Sequence, residues 1–174
     1  MLTCKRIMRP VLIICLSIVL ISNAIGQLPR STAGQFQYYG EVVTENTAHS
    51  MERAKKFFNQ PFLVHWDTVA HREQSANLLL TGIGYINVRA KQHGISMPAM
   101  IPVSLHMSIE IVNGRYRYTV NHFEVIDKEG KSQYKLEDKP NAIRAVAYDQ
   151  LLQNTHKRVS FVIGWLKKYM KGEE

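Results

Sequence analysis

Cysteine is almost absent from this chain of 174 residues, since its two cysteines, Cys4 and Cys15, both lie near the start. A chain processed after residue 26 would contain no disulfide bond and would rely on its core alone for stability. The sequence also lacks a Walker loop, a dinucleotide-binding glycine fingerprint and the C-x-x-C and H-E-x-x-H motifs. Nucleotide, redox and zinc-protease chemistry therefore have no recognisable motif here, and we predict no cofactor.

Residues 1–26 have the pattern of a cleavable signal peptide. Basic residues come first, an apolar run follows at residues 11–21, and the small residues Ala24 and Gly26 precede Gln27. The run is shorter than the ~20 apolar residues that a transmembrane helix needs, and no cysteine follows it to carry a lipid. We therefore predict an exported protein, periplasmic or secreted, that is not a lipoprotein and has no membrane span after signal cleavage.

The positive charge of the chain is mild and widely spread. The sequence has 22 Lys and Arg against 14 Asp and Glu, and three of the basic residues lie within residues 1–26. A nucleic-acid surface usually concentrates basic residues with aromatic residues between them, whereas the basic pairs near the end of this chain fit a solvated helix face. We predict no nucleic-acid partner.

One hairpin organises the rest of the chain. Two alternating runs in residues 103–126 flank Asn113-Gly114, the dipeptide that best tolerates a tight type I′ turn. If those two residues form the turn, Glu110 stands opposite Arg117 and every other cross-strand pair follows. The hairpin then has one polar face and one apolar face, and a register slip of one residue would exchange them.

The apolar face of the hairpin is predicted to be core. It pairs Ile109 with Tyr118 and places His122 opposite Leu105. Histidine is often partly buried at the edge of a core, so we predict that role for His122.

The remaining elements are predicted from their hydrophobic periods. Residues 27–35 read as a flexible leader, and residues 36–174 are long enough for one domain with its own core. Gly82 and Gly84 share the core face of their strand and predict a groove for a helix. Besides the hairpin, we predict strands at 36–45, 63–72 and 77–89 and a helix that is capped by Asn46 or Thr47 and continues to Phe58.

The C-terminal helical region, residues 139–171, is predicted to start near Pro140 with Asp138 as its cap. Polar residues at 153–158 interrupt its apolar stripe, so it forms either one long helix or two helices that break near Asn154, and the break is slightly favoured. The order of a strand, a helix, a four-stranded meander and one or two helices predicts an α+β fold, an antiparallel sheet with helices on one face.

Two groups of residues raise the question of catalysis. His65, Asp67 and His71 alternate along one predicted strand and include zinc-type ligands, but His71 lies too far along an extended strand to join Asp67 on one ion. A metal-assisted hydrolase using His65 and Asp67 is the alternative function. His106 with its neighbouring serines resembles a nucleophile and base, yet no carboxylate orients the ring and no G-x-S-x-G elbow is present.

The leading prediction is a non-enzymatic domain that binds a partner, an envelope protein or a small ligand, on the polar face of the sheet. The alternative is that this face has no binding role and is only solvated surface. The predicted binding residues are His106, Ser108, Glu110, Arg117, Thr119 and Asn121, extended by Tyr85, Asn87 and Arg89.

Three segments carry a family resemblance: MERAKKFF at residues 51–58, LTGIG at 80–84 and GRYRYTV at 114–120. Behind a signal peptide and in this order, they resemble a family of exported bacterial domains of unknown function described as having a TATA-binding-protein-like (TBP-like) fold. The resemblance implies a TBP-like α+β domain in a Gram-negative cell envelope. It implies no activity, because the family has none assigned, and no DNA binding, because function resides in sites and not in folds.

Overall fold

The computed structural model describes residues 28–44, 47–74, 77–91 and 98–173, and the predicted signal peptide at residues 1–26 lies outside them. Strands and helices alternate only at the start and the end of the described chain. In order, the elements are β1 (Tyr38–Val43), α1 (Thr47–Phe58), β2 (His65–Gln74), β3 (Asn77–Lys91), β4 (Pro98–Val112), β5 (Arg115–Ile126), β6 (Ser132–Lys135) and α2 (Ala145–Lys171).

The strands form one antiparallel sheet in the order β1-β5-β4-β3-β2, and β6 pairs with the far end of β5. The predicted α+β class and the meander from β2 to β5 are confirmed. The sequence did not predict β6, because a strand of four residues with one large apolar side chain shows too little alternation. It also did not predict that β1 pairs with β5.

Both helices pack on one face of this sheet. Along β4, Leu105, Met107 and Ile109 are each at most 1% exposed, while the residues between them stay partly exposed. The covered face therefore supplies most of the apolar burial that stabilises the fold. Among the described residues, neither helix combines the length and the apolar composition that a membrane span requires.

The β4–β5 hairpin has the predicted register from its turn to its middle. Asn113 and Gly114 have φ angles of 49° and 72°, as a two-residue type I′ turn requires. Glu110 pairs with Arg117, as predicted. The turn residues thus determine which side chains of the hairpin reach the core.

Beyond the middle of the hairpin, the register shifts by one residue at a β-bulge. His122 has a φ of 55° and is exposed, and the next residue, Phe123, takes the buried position with 0% exposure. The prediction that His122 lies at the rim of the core is therefore wrong. The bulge re-aims the side chain, and its ring stacks on His106 with the ring centroids 4.7 Å apart.

The glycines of β3 mark two close approaches. A Cβ at Gly82 would overlap the ring of Phe58 in α1, which confirms the predicted groove for a helix. A Cβ at Gly84 would collide with the backbone carbonyl oxygen of His65 in the neighbouring strand, beside a bulge in β2. Gly84 therefore serves the sheet itself and not the helix.

The C-terminal region forms one helix of 27 residues, so the predicted break near Asn154 is wrong. Its polar residues are compatible with a continuous helix because their side chains form hydrogen bonds with carbonyl oxygens that lie close to them in the folded domain. The Asn154 Nδ2 donates to the Arg89 carbonyl oxygen at 2.6 Å, and the buried Thr155 hydroxyl donates to the Leu151 carbonyl oxygen at 2.8 Å.

His156, in the same polar run, joins α2 to the first strand. Its Nδ1 lies 2.7 Å from the Tyr38 hydroxyl oxygen, and the two rings stack with centroids 5.8 Å apart. Burial raises the pKa of Tyr38 well above its ordinary value. The phenol therefore stays neutral and available for this hydrogen bond at physiological pH.

The start of α2 also differs from the prediction. The helix begins at Ala145, with Arg144 in an extended conformation at its N-cap, and not near Pro140. The Ile143 N–H donates to the Pro140 carbonyl oxygen at 3.1 Å, so this segment forms a turn. Asp138 consequently does not cap the helix, because the turn separates it from the first helical residue.

For the predicted flexible leader at residues 27–35, the structure describes residues from Leu28 onward. A turn forms there, in which the Gly34 N–H donates to the Ser31 carbonyl oxygen at 2.9 Å. Leu28 is 3% exposed and belongs to the core cluster. A single leucine gives no apolar period, so the sequence did not indicate this contact.

Candidate functional site

The face of the sheet that points away from both helices is called the open face. It spans five strands, which at ~4.8 Å per strand makes it about 20 Å wide. Its main residues are Tyr39, Glu41 and Val43 of β1, Leu79, Thr81, Ile83, Tyr85, Asn87 and Arg89 of β3, Met100, Ser104, His106, Ser108 and Glu110 of β4, and Arg115, Arg117, Thr119 and Asn121 of β5.

The structure brings the predicted binding residues together on this face. The β3–β4 pairing places Tyr85 beside Ser104 and Arg89 beside Met100, and the β4–β5 pairing places the six hairpin residues on the same side. Their proximity follows from the register that the turn determines. Their role in binding stays a prediction.

An ionic cluster joins β1 to β5 on the open face. The sequence predicted an ion pair between Arg117 and Glu110, which do stand opposite each other, but Arg117 lies closer to Glu41. Its Nη1 is 3.7 Å from the Glu110 Oε2, whereas its Nε is 2.7 Å from the Glu41 Oε2. Arg115 completes the cluster, with its Nη1 2.7 Å from the Glu41 Oε1. Hydrogen bonds from Arg117 and then from Arg115 lower the pKa of Glu41.

Glu41 was absent from the predicted site because the hairpin sequence does not reveal which strand lies beside β5. Alternation along residues 36–45 indicates a strand, but it gives no neighbour for that strand. The pairing of Glu41 with Arg117 appears only in the folded sheet.

A stacked histidine pair, His106 and His122, lies near the far end of the same face. Burial lowers the pKa of His106, the neighbouring His122 lowers it further, and Glu124 raises it. The ring of His106 is therefore held neutral to lower pH than a free histidine. The bulge that moved His122 out of the core is what creates this pair.

The open face is less polar than predicted. Leu79 and Ile83 of β3 are 39% and 42% exposed, and at the margins Tyr39 and Met100 are 60% and 61% exposed. The sequence contained a signal for the first two. Once Gly82 and its alternate neighbours are assigned to the core, Leu79 and Ile83 must point to the opposite face.

The histidines of the alternative metal site do not lie on one face of the sheet. β2 has a bulge between Trp66 and Thr68, so its side chains do not alternate regularly. His65 lies on the open face, where its ring stacks on Tyr85 at 4.9 Å, whereas His71 pairs with Leu80 and so faces the helix side. Within the described part of the chain, no three His, Cys, Asp or Glu side chains are placed to hold a metal ion.

A cavity of about 850 Å³ lies away from the predicted binding residues, at the end of the sheet where β6 and the turn before α2 meet. None of the predicted binding residues lines it, so the cavity and the open face are separate features. Its lining is mostly apolar and includes Ile101, Pro102, Val125, Ile126, Tyr134, Pro140, Ile143, Ala147 and Leu151.

No family model matches the sequence, and no curated protein matches it. The fold does match solved structures. A TBP-like protein from Parabacteroides distasonis has a TM-score of 0.58 and 13% identity, with 84% of this chain and 99% of that chain covered. A DUF4468 family protein from Bacteroides ovatus has a TM-score of 0.57 and 11% identity, with 84% and 91% covered. These two similarities confirm the predicted TBP-like fold, and at such low identity they extend no further than the fold.

Proposed function

We propose that this protein is a non-enzymatic exported domain and that its open face binds a protein partner. The observation that carries the proposal is the exposure of Leu79 and Ile83, which lie on the uncovered side of the interior strand β3. Exposed apolar side chains with a polar rim are typical of interaction surfaces. The signal-peptide pattern of residues 1–26 supports export to the periplasm or the medium.

The size of the open face fits a protein better than a small molecule. With a width of about 20 Å and a length of about 30 Å along β3, it covers on the order of 600 Å². Each partner in a specific protein complex contributes ~800 Å². Small ligands instead occupy concave pockets that surround most of their surface.

The charge pattern of the open face also favours a protein. Glu41 lies within hydrogen-bonding distance of both Arg115 and Arg117, and Glu110 stands next to them. A polyanion such as a nucleic acid would meet these carboxylates wherever it met the arginines, which weakens its attraction. A protein surface with both charges can match them, and such matching gives specificity.

Site-specific photocrosslinking tests this proposal in the cells that naturally make the protein. A photoreactive residue is placed at Thr81 or Thr119, which lie on neighbouring parts of the open face, and as a control at Val146 on α2, which is 81% exposed. We expect both open-face positions to yield an adduct with the same protein, identified by mass spectrometry. The Val146 position should not yield that adduct.

A matched pair of variants completes the test. The double variant Leu79→Lys and Ile83→Lys should abolish the adduct from Thr119, while Val146→Lys should leave it unchanged. The unfolding temperature should stay nearly constant in both, because a lysine stem can lie along an apolar surface while its charge stays in water. Adducts that form equally at all three positions, or that survive the double variant, would show that the open face is only solvated surface.

A further inference from the structure

A second exposed apolar surface lies on the helix side of the domain, where α2 passes the turn after α1. Phe62 and Phe161 are 56% and 49% exposed. The partly exposed ring of Trp165 lies between them, with its centroid 5.8 Å from that of Phe62 and 6.4 Å from that of Phe161. We call these three rings the aromatic patch.

The aromatic patch is a fixed part of the fold. The Arg158 Nη2 donates to the Phe62 and Leu63 carbonyl oxygens at 3.2 and 3.3 Å, and the Arg158 guanidinium lies 5.6 Å from the Phe161 ring centre. Leu63 is buried, so it anchors the turn that presents Phe62. The rings are therefore held at the surface by defined contacts.

The space between two of these rings is not filled. A cavity of about 210 Å³ opens between Phe62 and Trp165 and reaches down to Phe57 and Tyr169. The exposed rings therefore add less packing to the domain than their size allows. Their exposure calls for a partner outside the domain.

Positive charge flanks the aromatic patch along α2. Lys157, Phe161, Trp165 and Lys168 follow one another at helical spacing, so they share one face of α2, and both lysines are exposed. The sequence from residue 150 to residue 172 contains five Lys and Arg and no Asp or Glu. Exposed aromatic rings and lysines on one acid-free helix face are the pattern of a helix that lies on a membrane surface.

We propose that the aromatic patch, with Lys157 and Lys168, docks the domain onto an anionic lipid bilayer. Tryptophan prefers the level of the lipid headgroups, and lysines beside it are attracted to anionic lipids over about one Debye length. The proposal does not depend on the open face, which lies on the other side of the sheet.

Two other kinds of partner fit this surface less well. Lysine is depleted at protein–protein interfaces, whereas here lysines stand on both sides of the rings along α2. Single-stranded nucleic acid stacks on parallel ring faces, but Phe62 and Phe161 meet Trp165 at 82° and 70°.

Vesicle binding tests the proposal. The chain has two tryptophans, so Trp66→Phe leaves Trp165 as the only fluorescent indole. Vesicles of phosphatidylcholine with 30% phosphatidylglycerol, a composition chosen for the test at about one third anionic lipid, are compared with phosphatidylcholine alone. We expect binding to the anionic vesicles only, a blue shift of Trp165 emission, quenching by brominated lipid and loss of binding at high salt.

The experiment uses the full chain and also the chain from Gln27, because the apolar run at residues 11–21 could itself enter the vesicles. Binding through that run would leave Trp165 unquenched, so the two routes are distinguishable. The chain from Gln27 retains every helix and strand described above.

Three double variants refine the result. Phe62→Ser with Phe161→Ser should weaken vesicle binding by about tenfold or more, because two exposed rings no longer enter the interface. Lys157→Gln with Lys168→Gln should weaken it several-fold and flatten its salt dependence. Tyr39→Ser with Met100→Ser, two open-face residues of similar exposure, should leave it unchanged.

The proposal is overturned if folded protein does not bind the anionic vesicles, or if it binds without quenching of Trp165. It is also overturned if an RNA oligonucleotide or an acidic peptide is retained through the aromatic patch while the vesicles are not. Each variant is first shown by its unfolding temperature to be folded, so loss of binding is not loss of structure.

Discussion

The covered face and the open face of the same sheet differ in how much packing they carry. Along β5, Tyr116 and Val120 on the covered face are 2% and 1% exposed, whereas Arg117 and Thr119 between them remain accessible to solvent. The covered face therefore provides the burial that stabilises the domain. The open face can change its chemistry at little cost in stability, which makes it the more suitable place for recognition.

The largest expected effect contrasts one residue from each face of β5. Phe123→Ala should lower the free energy of unfolding by about 3–5 kcal/mol, because it removes a ring with 0% exposure and leaves a cavity. Thr119→Ala on the open face should change it by less than about 0.5 kcal/mol. Urea unfolding followed by circular dichroism measures both values. Similar values for the two variants would contradict the conclusion that the covered face, and not the open face, stabilises the domain.

The second prediction concerns His122, where the chain leaves the regular alternation between faces. His122→Val should cost about 1–2 kcal/mol, because a β-branched residue is strained at a φ of 55°. Asn121→Val, in the regular strand beside it, should stay within about 0.5 kcal/mol.

A glycine variant serves as the control for this second prediction. His122→Gly removes the same imidazole as His122→Val but accepts the positive φ without strain. It should therefore be markedly more stable than the valine variant in the same urea titration. Equal stability of the valine variants at positions 121 and 122 would mean that the hairpin continues without a bulge.

The fold was predictable where local chemistry determines it. Asn113-Gly114 specified a turn, and the turn specified the pairing of Glu110 with Arg117. The bulge at His122 could not be predicted, because histidine adopts a positive φ too rarely to signal one and Phe123 can also be placed in the core by a shift in the alternation. Pairing between strands that are far apart in the sequence, such as β1 with β5, could not be predicted from the local pattern of either strand.

The continuity of α2 was unpredictable for a related reason. A polar run inside an amphipathic helix usually indicates a break, and whether it is tolerated depends on distant acceptors. Here Asn154 reaches the Arg89 carbonyl oxygen and His156 reaches the Tyr38 hydroxyl. Both partners lie far away in sequence, so periodicity alone could not reveal them.

The sequence predicted which side chains share the open face, but it did not predict the contacts between them. The alternation of the hairpin correctly grouped His106 with Arg117 on one face. The strongest partner of Arg117, Glu41, and the stacking partner of His106, His122, both came from features outside the hairpin pattern. The alternation of a strand predicts which residues share a face. The contacts between those residues can be identified only when the neighbouring strands and their bulges are known.

The smallest expected effect is the pH dependence that the open face adds to stability. Because burial and His122 lower the pKa of His106 in the folded state, the unfolded chain binds its proton first, near the ordinary histidine pKa of ~6.5. Above that pH the ring is neutral in both states, and stability does not depend on it. As the pH falls below ~6.5, the unfolded state binds more protons than the folded state, and stability decreases until the folded ring also protonates.

His106→Gln should therefore reduce the fall in unfolding temperature between about pH 7.5 and pH 5.5, a range that brackets the ordinary histidine pKa. Thermal unfolding followed at several pH values measures the two slopes. Ser108→Gln, two residues along β4 from His106 and on the same face, is the control, because it changes no titratable group and should keep the parental slope. Identical slopes in the parent and in His106→Gln would mean that the open face contributes nothing to stability through this ring, and the contrast between the two faces would then be complete.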